Sequence, residues 1–202
     1  MVDHASLTGS ALHEPKGVAT AATKTVYVAN GAGSGSWTTL DYNSLPSGSV
    51  ITFANAVTNA VVSGSTAIPQ DNTIPQSTEG FEVLTCAITP KASGNKLLIR
   101  AVIPFSVAST GSDAPYSIAL FKDSDANAIA AVMGVTRSAQ GTGSVLTLDH
   151  VYTTTGTSAI TFKIRIGGGS AVSVYVNGQQ NSSTRIFGGV SSATISISEI
   201  KA

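Results

Sequence analysis

Residues 158–180 read SAITFKIRIGGGSAVSVYVNGQQ, and residues 184–202 read TRIFGGVSSATISISEIKA. Three runs in these stretches place apolar residues at every second position. They are Ile160, Phe162, Ile164 and Ile166; then Val172, Val174 and Val176; then Ile195 and Ile197, with Ile200 just beyond. A period of two puts one row of side chains on one face of a β-strand. Gly167-Gly168-Gly169 separates the first two runs and Asn177-Gly178 follows the second. Both are turn chemistry, because glycine and asparagine tolerate positive φ. The expectation is a hairpin and then a closing strand whose end is tied into a sheet. No catalytic equipment lies in this part of the chain.

Working backward, the same rhythm continues. Strand patterns fall at 81–89, 96–104, 116–121 and 144–152, with Pro90 and the Lys91–Asn95 turn after the first. Residues 128–135 (AIAAVMGV) fit either a strand or a helical turn. Short strands with turn signals every ~8–12 residues indicate a sandwich or barrel. About eight strands over about 135 residues fit a jelly roll of two packed sheets. No repeat of fixed period is present, which disfavours a solenoid or propeller. The predicted organisation is an extended segment at 1–40, a β-rich bridge at 41–78 and a β-sandwich at 79–202, with the globular part beginning near residue 65. Within the first segment only Thr25–Val28 reads as a strand; within the bridge, 49–53 and 59–62 do.

Composition narrows the function classes. Of 202 residues, 42% are hydrophobic and only 11% are charged, with eleven cations balancing eleven acids. No basic patch is implied, so phosphate-driven nucleic-acid binding is not expected. So little charge leaves little repulsion between copies, which suits a surface partly covered by identical partners. Segment 1–40 cannot offset its own ordering entropy, yet Leu7, Leu12, Val18, Val26, Val28 and Trp37 recur through it. It is expected to order against something else. The N-terminus lacks a secretory pattern and no apolar run approaches about 18 residues, so neither secretion nor a membrane span is expected.

Candidate chemistry is sparse, and no cofactor, metal or catalytic set is expected. Asp123-Ser124-Asp125-Ala126-Asn127 opens like a calcium loop, but Ala128 and Gly134 stand where an EF-hand needs its Gly and bidentate Glu. A polar turn is the preferred reading. The single Cys86 sits in a strand-like run and reads as a small buried residue. His4, His13 and His150 show no ligand spacing. GAGSGS at 31–36 lacks the Gly-Lys-Ser/Thr ending of a phosphate loop. No Gly-x-Ser-x-Gly elbow occurs, and no two acids are singled out for glycoside cleavage. The Asn181-Ser182-Ser183 sequon carries little meaning without a secretory signal.

Two stretches carry a resemblance. Residues 7–18 (LTGSALHEPKGV) with 25–37 (TVYVANGAGSGSW) resemble an N-terminal signature of structural proteins from tailed bacteriophages: head fibres, head decoration proteins or tail fibres. Residues 73–80, 88–91 and 185–200 look like the β-sandwich heads of such fibres. The resemblance implies a homotrimeric virion protein, assembled in the host cytoplasm and seated on the capsid surface through its N-terminus. It implies an attachment set of Leu7, Leu12, His13, Pro15, Lys16 and Gly17, with Val26, Val28 and Trp37 buried at the same junction. Its partners would be itself, a capsid or other virion protein, and a host-surface glycan. The alternatives are a tail-fibre tip, with Tyr116 and Tyr175 as candidate sugar-stacking rings, a glycan-cleaving enzyme and a lectin-like module.

Overall fold

The computed structural model describes residues 20–29, 31–32, 35–108, 113–136, 143–179 and 182–202. The chain separates into two compact units, Met1–Pro46 and Ser47–Ala202. In the first, β1 (Thr25–Ala29) and β2 (Gly35–Thr39) form an antiparallel hairpin. Tyr27 lies opposite Trp37, edge to face with ring centroids 5.5 Å apart. A short 3-10 turn, Tyr42–Ser44, follows, and the Asp41 carboxylate caps it by accepting the Ser44 N–H at 3.1 Å.

The second unit is all β. Its strands are β3 (Val50–Thr58), β4 (Val62–Gly64), β5 (Phe81–Ile88), β6 (Lys96–Val107), β7 (Ala114–Lys122), β8 (Ala130–Thr136), β9 (Gly143–Thr153), β10 (Ile160–Gly168), β11 (Val174–Val176) and β12 (Ala193–Ile200). No α-helix occurs among the described residues. The ambiguous run at 128–135 is strand β8. The small sheet runs β5-β10-β7-β8. The large sheet is built on β6. One edge of β6 pairs with β9 along its length, and the other pairs first with β12, backed by β3, and then with β11, backed by β4. Setting aside the short β4 and β11, the orders β3-β12-β6-β9 and β5-β10-β7-β8 are those of an eight-stranded jelly roll. The chain is an all-β sandwich, as its alternation predicts.

The core lies between the sheets. Ile99, Ile103, Ile195 and Ile197 from the large sheet meet Ile118, Leu120, Phe162, Ile164 and Ile166 from the small one, all fully buried. Phe105 against Tyr116 and Tyr152 against Phe162 bridge the sheets with ring centroids 5.5 and 5.8 Å apart. A second, smaller cluster of Ile68, Ala119 and Phe121 lies apart from this core. There residues 65–80 strap the small sheet's outer face: Ile68 N–H donates to Gly168 O at 2.8 Å.

Three expectations change. β10 and β11 are not a hairpin: β10 pairs with β5 and β7, while β11 pairs with β6 and β4 in the other sheet. The glycines between them are not simply a turn, since β10 runs on through Gly168. A Cβ on Gly167 would stand 2.7 Å from Thr66 O, so glycine is there to let the strap approach. β6 does not stop at Pro104 but continues to Val107. Pro104 sits where β12 has ended and β11 begins. Its carbonyl accepts Asn177 N–H at 3.1 Å, and Asn177 O is satisfied by Ile186 N–H, so the missing proline donor leaves nothing unpaired.

Candidate functional site

The outward face of the large sheet is the site the second unit offers. Antiparallel register across β3, β12, β6 and β9 lines its side chains into rows. One row is Phe53–Ser198–Leu98–Val151. The next is Asn55–Ser196–Arg100–Asp149. The third is Val57–Thr194–Val102–Thr147, and beyond it Pro104 faces Val145. Phe53 is 60% exposed and Val151 56%, and Val50, Val57, Leu98 and Val145 are exposed as well. Apolar residues on a solvent-facing sheet surface break the inside–outside alternation that a lone sandwich would keep. Between the apolar rows runs one polar row, where Arg100 Nε lies 3.7 Å from an Asp149 oxygen with both side chains about two-thirds exposed. A trough of about 520 Å³ lies there, lined by Leu98, Arg100, Asp149, Val151, Ser196 and Ser198.

The other candidates resolve into structural roles. Asp123 and Asp125 are held by a cation of the chain itself: Lys122 Nζ lies 2.9 Å from Asp123 and 3.3 Å from Asp125. The second oxygen of Asp123 accepts the Thr161 N–H at 2.8 Å, and this bond, ahead of the Lys122 contact, lowers its pKa below the ordinary carboxylate value. Among the described residues no three of His, Cys, Asp and Glu group as metal ligands. His150 pairs with the inward-facing Ile99, whereas Asp149 pairs with Arg100 on the outer face. The two adjacent residues therefore point to opposite sides and make no dyad. Burial lowers the His150 pKa and raises that of the buried Cys86 thiol. Tyr116 is fully buried in the core and can stack on nothing outside, and Tyr175 is half-buried in β11.

Of the predicted attachment residues, Leu7, Leu12, His13, Pro15, Lys16 and Gly17 lie outside the described residues, as do His4 and Asn181. Val26 and Val28 share one face of the β1–β2 hairpin, opposite Thr38 and Ser36, while Trp37 sits on the other face against Tyr27. The structure brings the two valines together and leaves the tryptophan apart from them.

Two features escaped the sequence. Glu199, one step past the Ile195–Ile197 alternation, points inward and is 0% exposed, while Ile200 faces out. Strict alternation from Ile195 would have found it. Phe187 is 80% exposed at the tip of the β11–β12 connection, with φ at +52°. The Gly188-Gly189 pair beside it marks the turn but not the conformation of the ring-bearing residue.

Comparison with known proteins adds one assignment. The family model for the Pgp3 C-terminal domain (Chlam_vir) matches residues 57–202. No curated protein matches the chain in sequence. Solved structures similar to it include Eiger TNF from S. frugiperda, at 11% identity over 74% of this chain and 94% of that one, TM-score 0.41. The C-terminal domain of EclA, a sugar-binding protein, has 17% identity over 57% and 72%, TM-score 0.32. The Gx strain structure of infectious bursal disease virus has 13% identity over 87% and 42%, TM-score 0.34. At scores this low these likenesses bear on neither fold nor role.

The family match overturns the bacteriophage resemblance. With it go the head-fibre or decoration role, the tail-fibre alternative and the location on a virion. The strings that carried the resemblance inside the matched region are turn and strand-end chemistry: the strap at 73–80, the β5 end at 88–91 and the turn and strand at 185–200. Such chemistry recurs wherever short strands are joined, and it does not discriminate between families of sandwiches.

Proposed function

The chain belongs to the Pgp3 C-terminal domain family, and on that footing we propose that it is a homotrimeric binding module that acts through its assembled surface and not as an enzyme. The observation that carries this is the outer face of the large sheet, where Val50, Phe53, Val57, Leu98, Val145 and Val151 all stand exposed. The occupant is two further copies of the same chain. The formal net charge is zero, so copies approach without mutual repulsion. At its centre the face carries Arg100 and Asp149 side by side, a pair that is complementary to itself in charge, with Lys96 as a further cation at the Val50 end. Completing the burial of six such apolar side chains is worth about 1 kcal/mol each. The total of about 6 kcal/mol is comparable with the ~4–15 kcal/mol that association costs, so a finely balanced, concentration-dependent assembly is expected. Five of the acids hold local structure. Asp41 and Asp71 cap turns, Asp123 and Asp125 hold Lys122, and Glu199 ties a turn.

The test is light scattering of the full chain over a wide concentration range, with Phe53→Asp and Val151→Asp as paired variants. The expected mass is three times that of the chain for the wild type and that of a single chain for the double variant. The variant's far-UV spectrum should be unchanged, because both side chains are exposed in the isolated sandwich. A wild type that is monomeric or dimeric throughout would refute the reading.

A further inference from the structure

The centre of the outer face differs from its flanks. The row Asn55–Ser196–Arg100–Asp149 is polar from edge to edge, while the rows on either side place Phe53, Leu98 and Val151, and Val57 and Val102, around it. Arg100 and Asp149 are direct cross-strand neighbours, yet they meet only at 3.7 Å and remain mostly in solvent. A pair so exposed contributes almost nothing to the stability of one chain. Its place among apolar rows makes sense if the row is covered. Resting on the trimer reading, we infer that Arg100 and Asp149 are the register and specificity determinant of self-association, desolvated together against the neighbouring copy.

When a second copy covers the face, water leaves the row, and the guanidinium and carboxylate must be satisfied by protein groups alone. Asp149 accepts from guanidinium N–H groups, and Asn55, Ser196 and Thr147 stand nearby on the same face to meet the remaining donors and acceptors. A slip by one row would set the charges mainly against Phe53, Leu98, Val151, Val57 and Val102, with only the Ser198, Thr194 and Thr147 hydroxyls left to meet them. The apolar rows are greasy and interchangeable, and they tolerate several registers. The polar row tolerates one.

Charge reversal decides the matter. Arg100→Asp and Asp149→Arg are made singly and together, and the concentration at which the trimer dissociates is measured by sedimentation equilibrium. Each single variant should raise it by about a hundredfold or more, because a buried charge loses its partner. The double reversal should recover most of that loss. An exposed pair would give single-variant effects of about fivefold or less. Effects that small in a trimer, or a double variant no better than the singles, overturn the inference and leave the trimer standing. A wild type that never forms a trimer removes the reading on which the inference rests, and the inference with it. Each variant's fold is checked by its far-UV spectrum. Because both residues are exposed in the single sandwich, a monomeric variant that is still folded counts as loss of assembly.

Discussion

Replacing Glu199 should uncouple the end of the chain from the turn that joins β5 to β6. The carboxylate is fully buried on β12, in the inward row that also holds Ala193, Ile195 and Ile197. One oxygen accepts Lys91 N–H at 2.9 Å and the Asn95 side-chain amide at 2.7 Å; the other lies 3.1 Å from the same Lys91 N–H. Asn95, itself buried, uses its own oxygen to accept Ala202 N–H at 3.0 Å. Thr154 clamps the same turn by donating to Ala92 O at 2.8 Å. Glu199→Ala strands the buried Asn95 amide and the part-buried Lys91 N–H, at ~1–3 kcal/mol for a fully buried donor, and opens a cavity, while it removes the cost of burying a charge. The net loss should be about 3 kcal/mol, a large share of the ~5–15 kcal/mol by which domains are stable. Glu199→Gln keeps the volume but points an NH₂ group at a donor, and should lose about half as much. Urea unfolding followed by far-UV circular dichroism at fixed protein concentration is the assay. Fluorescence of Trp37 would follow the wrong unit, because the chain's only tryptophan lies in the N-terminal hairpin. A Glu199→Ala loss under about 0.5 kcal/mol, the range of surface substitutions, would show that the carboxylate pins nothing.

Three further outcomes are expected. Phe187→Gly should stabilise the isolated sandwich by about 1 kcal/mol, since a non-glycine residue at φ +52° is strained and the exposed ring packs on little; a lower urea midpoint would contradict this. Asp123 has a folded pKa depressed below its ordinary 3.8, so its contribution is complete above that value and is lost as the pH falls through the lower folded one. Stability should therefore drop below about pH 4, less steeply in Asp123→Asn, which keeps the acceptor for Thr161 N–H; equal slopes would refute the assignment. His150 has a folded pKa lowered by burial from its ordinary 6.5, so the unfolded chain takes up its proton first and stability falls as the pH drops through that value. His150→Gln should flatten the change between pH 7 and about pH 5, and an unaltered profile would place the imidazole in water.

How far the chain could be read by eye follows from what period two can encode. Ile160–Ile166 and Ile195–Ile197 fixed which residues enter the core, because alternation is a property of the strand itself. The poverty in charge suggested identical neighbours, and the trimer proposed above carries that reading to its test. Pairing is different. Nothing local in Gly167-Gly168-Gly169 distinguishes a turn from a strand crossed by a strap, and the crossing residues Thr66 and Ile68 lie about 100 positions away. Pro104 reads as a stop until β11 and β12 divide the edge of β6 between them. The attachment set at Leu7–Gly17 came from a resemblance, and short turn-rich strings proved a poor guide to family.

The sequence alone determined that this is a charge-poor chain of short strands with one apolar face each, because side-chain alternation needs no partner to be visible. The tertiary structure decided which strands meet, and so placed Phe53, Leu98 and Val151 in one row and Arg100 beside Asp149 in the next. Those rows join residues separated by up to about 145 positions. Register is set by long-range hydrogen bonding and core packing, and a slip of one residue would turn each row to the opposite face.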